Sequence, residues 1–169
     1  MGRKLGRHGD ELENSVDMNI CAVVMAGKDS TEMHSDRIKH VHKVAGKSVI
    51  RWVHDALTEA GVKEELYVVG ERQGQIRRVL GEDKAYEFQE KILGTGHAAM
   101  QAANFLESRD GLTMIMPGDT PLITGQTLKR AVDQAADGGY DALLLTARAI
   151  DPAGYGRIIR DADGRSEER

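Results

Sequence analysis

Residues 20–27 read Ile20-Cys21-Ala22-Val23-Val24-Met25-Ala26-Gly27, an unbroken apolar run rich in β-branched side chains that breaks off at a glycine. A run this short, with no polar alternation, reads as a strand buried on both faces and feeding a loop. Outward from it the same pattern returns. Leu66–Val69, Tyr86–Phe88, Leu112–Met116 and Ala142–Thr146 read as further strands. Between them lie helical spacings: Ile50, Val53, His54 and Leu57 after a capping Ser48 and before Gly61; Gln75–Leu80 before Gly81; Ala98, Ala102 and Phe105 after a capping Thr95; and Thr127–Ala136. Strand and helix alternate throughout. Parallel neighbours need crossover connections, so the order predicts a mainly parallel sheet between two helical layers, with ligands at the carboxyl ends of the strands.

Three segments fall at those ends. Asp119 closes an apolar strand between Gly118 and Pro121, where a carboxylate meets solvent and can hold Mg²⁺ beside a phosphate, although Asp is equally at home as a turn residue. Gly94-Thr95-Gly96-His97 sets small residues at a helix start, where backbone N–H groups can approach a base, ribose or phosphate; a plain capped glycine turn is the simpler reading. The stretch from Ala26 to Lys47 is long for a loop and carries Lys28, Lys39, Lys43 and Lys47, suited to neutralising a polyphosphate or to a solvated surface. His34, His40 and His42 lie in it without the Cys or carboxylate spacing of a zinc site.

Composition excludes several classes. The chain of 169 residues has 23 Lys and Arg against 27 Asp and Glu, scattered rather than blocked, and only 4% aromatic residues, so neither a basic nucleic-acid footprint nor a base-stacking platform is expected. One cysteine, Cys21, allows no internal disulfide and fits a reducing, cytoplasmic setting. No stretch is apolar enough for a signal peptide or membrane span. Residues 1–17 are polar and are expected to form a disordered extension ahead of a single domain over 18–169.

Four ordered motifs then converge. Ile20–Gly27, the segment Lys39, His42 and Val44-Ala45-Gly46-Lys47, the stretch Gln89–His97 reading QEKILGTGH, and Gly118-Asp119-Thr120-Pro121-Leu122-Ile123, followed by Asp151–Ile158, resemble the uridyltransferase (pyrophosphorylase) domain of bacterial bifunctional N-acetylglucosamine-1-phosphate uridyltransferase/glucosamine-1-phosphate acetyltransferases. The resemblance implies a Rossmann-like three-layer α/β/α nucleotidyltransferase fold, C-terminally truncated. It implies the joining of UTP and N-acetylglucosamine 1-phosphate to give UDP-N-acetylglucosamine and pyrophosphate. It also implies roles: Lys39 as the catalytic lysine on the triphosphate; Ala26, Gly27, Gln89, Gly94 and Thr95 at the nucleotide; Asp119 on Mg²⁺; and Gly156 at the sugar.

The chain departs from that family in two ways. An ungapped reading sets Glu32 where the family has a catalytic arginine and Ser30 where it has a glycine, with Asp29 adding a second carboxylate. A carboxylate facing a triphosphate opposes binding by about 4 kcal/mol at a few ångströms in an effective dielectric of 20. The chain also stops near the hairpin that starts at Gly156, leaving an expected unpaired sheet edge that favours self-association. A uridine-nucleotide-binding or regulatory module without catalysis is therefore the alternative reading.

Overall fold

Strand β1, Ile20–Ala26, runs through the centre of a four-stranded sheet in the computed structural model, which describes residues 18–28, 33–138, 140–156 and 158–163. The expected extension over 1–17 and the loop residues Asp29, Ser30 and Glu32 lie outside the described residues. On one side β1 pairs in parallel with β4, Glu64–Val69, and on the other with β6, Leu112–Pro117; β5, Ala85–Phe88, adds to β4, also in parallel. The order β5-β4-β1-β6 is that of an open parallel sheet.

Because successive strand residues face opposite ways, β1 serves two cores at once. Ala22, Val24 and Ala26 meet helices α1 (Val49–Glu59), α2 (Gln73–Leu80) and α5 (Gly125–Gly138) through Ile50, Val53, Leu57, Ile76 and Leu128. Val23 on the other face meets Ala98 of α3 (Thr95–Met100) and Ala102, with Phe105 and Leu106 of α4 (Ala103–Leu106) against them. Three layers result, as expected. In α1 the buried residues Val49, Ile50, Val53, Ala56 and Leu57 follow the one-face spacing of a helix, and each fully buried aliphatic side chain contributes about 1.5–3 kcal/mol. The helix stops because Gly61 takes φ +86°, letting Val62 N–H return to Leu57 O at 3.1 Å.

A polar network is buried where α1 crosses β4. Glu65, 9% exposed, accepts from Tyr67 OH at 2.8 Å, meets His54 Nδ1 at 2.7 Å and faces Lys84 Nζ at 3.7 Å. Burial first, and then the Glu65 carboxylate, push the Tyr67 phenol far up, so it stays a donor.

The structure corrects four expectations. Ala142–Thr146 forms no strand: it runs beside β6 and α5, leaving between them a cavity of about 670 Å³ lined by Met114, Met116, Leu128, Val132 and Leu143–Leu145. A strand must lie about 4.8 Å from its neighbour to share a ladder; residues 142–146 form none with β6, whose outer edge has no partner among the described residues. The single helix expected from Thr95 through Phe105 is two, interrupted at Gln101-Ala102. Gly94, at φ +107°, occupies the cap position and Thr95 is the first helical residue. The Lys-rich loop contains a 3-10 turn, Lys39–Val41, and a small hairpin of β2 (Lys43–Val44) and β3 (Lys47–Ser48), turned by Ala45 and Gly46 at φ +50° and +82°. Ser48 does precede α1, without a side-chain capping bond.

Candidate functional site

The four parallel strands bring their carboxyl ends to one edge of the sheet, where folds of this kind bind ligands in a crevice outside the strand ends; the cavity of about 670 Å³ lies elsewhere, between β6 and α5. β6 hands over to Asp119 through Gly118, whose N–H donates to Met25 O at 2.9 Å and so extends the β1 ladder by one residue. A Cβ on Gly118 would lie 2.8 Å from Ile50 Cδ1 and 3.2 Å from Val24 Cγ1; glycine lets the chain settle onto the core there. The turn carrying Lys39 is held from α2. Ile38 N–H donates to Gln75 Oε1 at 3.1 Å, while Gln75 Nε2 and Arg72 Nη1 donate to Asp36 O at 2.9 and 3.1 Å.

These two supports bring together residues 80 apart in the chain: Lys39 Nζ donates to Asp119 Oδ2, with both side chains less than a third exposed, at 29% and 31%. Partial burial alone would raise the Asp119 carboxyl; the hydrogen bond and charge of Lys39 outweigh it, and the group is held below the usual carboxylate value. His40, 2% exposed, sits behind this pair. Burial, and then the neighbouring Lys39 charge, lower its pKa to about 4 against a smaller opposing pull from Asp119, so the ring is neutral at pH 7. Its Nδ1 has no hydrogen-bond partner among the described residues.

The second half of the crevice lies at the ends of β4 and β5. Gly70 packs so closely on the Gly27 carbonyl that a Cβ would collide with it. Gln89, 2% exposed, is anchored by its N–H to Val69 O at 2.8 Å, and its Oε1 lies 2.7 Å from where a Gly27 Cβ would stand. Its Nε2 is 2.9 Å from His97 Nδ1 on α3, which ties the Gly94-Thr95 turn to the crevice.

Of the residues singled out from sequence, Lys39 and Asp119 come into direct contact, and Ala26, Gly27 and Gln89 gather beside them at adjoining strand ends. Gly94 and Thr95 are exposed at the start of α3 and are joined to this group through His97. Gly156 is not brought in: it is exposed, with nothing within 4 Å of a Cβ position. Sequence reasoning passed over Gln75 and Arg72, which place Lys39, and gave no role to His97 or to buried His40. For His40 the local sequence, Arg37-Ile38-Lys39-His40-Val41-His42-Lys43, is too polar to have announced its burial.

Among the described residues no three His, Cys, Asp or Glu side chains converge to hold a metal ion. One carboxylate, already met by a lysine, suits a cation that keeps its waters and takes substrate phosphates rather than a cage of protein ligands. Nor is any helix among the described residues long and apolar enough to cross a membrane.

Known proteins resemble this chain in sequence and in fold. The chain is 42% identical over 147 residues to the bifunctional protein GlmU of Geobacillus sp. (strain WCH70), covering 87% of this chain and 32% of that protein. To GlmU of Staphylococcus carnosus it is 43% identical over 148 residues, covering 88% of this chain and 33% of that protein. It thus spans about a third of the length of these curated relatives. Among solved structures, Rv0371c of Mycobacterium tuberculosis in complex with manganese matches with a TM-score of 0.59 at 21% identity, over 71% of this chain and 61% of that one. A nucleotidyl transferase from Methanothermobacter matches at 0.58 and 23%, over 69% and 57%. These two establish the α/β nucleotidyltransferase fold. The MobA-like NTP transferase domain family matches residues 22–162, nearly the whole of the described chain, and it is to this family that the protein belongs.

Proposed function

We propose that the chain is a uridylyltransferase that joins UTP to N-acetylglucosamine 1-phosphate, releasing pyrophosphate and forming UDP-N-acetylglucosamine. The observation that carries this reading is the identity of 42% to a GlmU protein over 87% of the chain, a span that includes every strand end lining the crevice. A phosphate oxygen of the sugar phosphate attacks the α-phosphorus of UTP, the bond to the bridging oxygen breaks, and pyrophosphate leaves with that electron pair. Such chemistry is mostly positioning and charge neutralisation.

The chain's residues supply both. Lys39 neutralises the triphosphate, the Gly27 loop admits it closely, and Gln89 with the Gly94-Thr95 turn holds the base and ribose. Asp119 is the residue that would hold Mg²⁺, shared with the nucleotide phosphates; the ion, when bound, adds positive charge against the α-phosphorus and the departing pyrophosphate. The resemblance places Gly156 at the sugar, a contact that its exposed position in the free protein does not supply. Substrates are soluble metabolites, so a cytoplasmic setting fits.

The test is pyrophosphate release from UTP, dependent on N-acetylglucosamine 1-phosphate and Mg²⁺, in the wild type and in Asp119→Asn. The wild type is expected to turn over and the variant to lose about 100-fold, in line with removal of a transition-state charge contact. The second reading, a uridine-nucleotide-binding module without catalysis, is favoured by Glu32 at the position of the family's arginine. It predicts nucleotide binding with no pyrophosphate release, and release restored by Glu32→Arg would return the chain to the first reading.

A further inference from the structure

The side chain of Gln75 does for the stretch 36–38 what a neighbouring strand would do. Its Oε1 accepts from Ile38 N–H at 3.1 Å while its Nε2 donates to Asp36 O at 2.9 Å. A backbone N–H only donates and a carbonyl only accepts, so these partners fix the orientation of the amide without reference to any other side chain. Arg72 Nη1 donates to the same Asp36 O at 3.1 Å from the residue ahead of α2. Ile38 is buried, but apolar packing is non-directional and lets a turn rotate; hydrogen bonds on either side of Arg37 do not. Beyond the turn Val49 N–H, at the start of α1, donates to His42 O at 2.9 Å. The 3-10 turn Lys39–Val41 is thus pinned from α2 on one side and from α1 on the other, and its first side chain is the one that reaches Asp119.

Resting on the reading of the strand ends as a nucleotide site, we infer that Gln75 is a positioning residue that acts through Lys39: it keeps the ammonium on Asp119 while the site is free, so that a divalent ion gains that carboxylate only when nucleotide phosphates draw the lysine away. Gln75 touches no reacting atom. Its grip sets the order in which the site fills, metal with nucleotide rather than ahead of it. Without the grip the long, flexible lysine stem starts from a loose anchor. The ammonium then guards Asp119 less well and must also be ordered when the triphosphate arrives, which costs affinity. One cause gives two effects of opposite sign.

The experiment is calorimetric titration of the full chain with Mn²⁺ alone and with Mg²⁺·UTP, in the wild type, Gln75→Met, Lys39→Ala and the double variant. Methionine keeps the unbranched stem, makes neither hydrogen bond and is a good helix former at a half-buried position, so the variant should fold, as circular dichroism will show. Gln75→Met is expected to bind Mn²⁺ about threefold more tightly, the size of releasing one partly exposed ion pair, and Mg²⁺·UTP about tenfold more weakly, part of what losing Lys39 itself costs. On the Lys39→Ala background the same substitution should move neither affinity by more than about twofold, because both residues act on one path. A glutamine that served only the packing of α2 would not tighten Mn²⁺ binding, and would weaken UTP equally in both backgrounds; either result overturns the inference. Mn²⁺ that binds none of the proteins, Lys39→Ala included, overturns it as well. Failure of the folded wild type to bind UTP overturns the nucleotide reading itself, whereas unchanged Mn²⁺ binding in Gln75→Met overturns this inference alone.

Discussion

Replacing Lys39 with alanine is expected to weaken binding of Mg²⁺·UTP by about 100-fold. The lysine has two partners in turn. In the free protein its ammonium meets Asp119, both side chains being partly shielded; in the proposed reading it faces the triphosphate once nucleotide binds. Unit charges at about 4 Å interact by about 4 kcal/mol in an effective dielectric of 20, and partial exposure reduces that to about 3 kcal/mol, which sets the 100-fold figure. Alanine removes the attraction and leaves the Asp119 carboxylate bare beside the phosphates. The same change should let Asp119 take a divalent ion more readily in the absence of nucleotide, because the competing ammonium is gone. Calorimetry with Mg²⁺·UTP and with Mn²⁺ alone reads both effects. Nucleotide affinity within threefold of the wild type would remove Lys39 from the site.

Acid should destabilise the protein by about 3 kcal/mol between pH 7 and pH 4 through His40 alone. The folded pKa, about 4, lies below the ordinary 6.5. Between those values the unfolded chain binds a proton that the folded chain refuses, so stability is present above pH 6.5 and lost as pH falls through 4. A shift of this size corresponds to about 1.4 kcal/mol per pH unit over the window. His40→Leu keeps an apolar ring-sized group in the same place and cannot titrate. Urea denaturation of both proteins at pH 7 and pH 4.5 should show the variant losing about 2 kcal/mol less than the wild type on acidification. Parallel losses would mean that His40 is protonated in the folded state or exposed on a faster local opening.

The sheet was legible because its strands announce themselves chemically. Ile20–Ala26, Leu66–Val69 and Leu112–Met116 are short, mainly apolar runs cut off by Gly or Pro, a length and boundary that favour strands over helices. Ala142–Thr146 carries the same signal and forms no strand, because a strand also needs a neighbour, and neighbours are not written in the local pattern. The hairpin at 43–48 was hidden for the opposite reason. Its turn is Ala45-Gly46 rather than Asn-Gly, so only the glycine hinted at the two positive φ angles.

In the crevice, residue types that chemistry demands, Lys39 and Asp119, could be picked from sequence and the resemblance it carries. Their contact could not, since it depends on Gln75 of α2 and Arg72, just before that helix, gripping backbone atoms of Asp36 and Ile38, and such grips leave no side-chain signature at the gripped residues. Gly156 illustrates the converse: a motif position in an exposed segment that the fold does not carry to the strand ends.

The most direct test of the account is titration of UTP into the folded chain with and without Mg²⁺. Among the described residues the site has one carboxylate for a metal and that carboxylate is held by Lys39, so metal and triphosphate should bind together: UTP tightly with Mg²⁺, at least tenfold more weakly without it, and Mg²⁺ alone no tighter than about millimolar. UTP affinity indifferent to Mg²⁺, or no UTP binding at all by a chain whose circular dichroism shows it folded, would contradict the account.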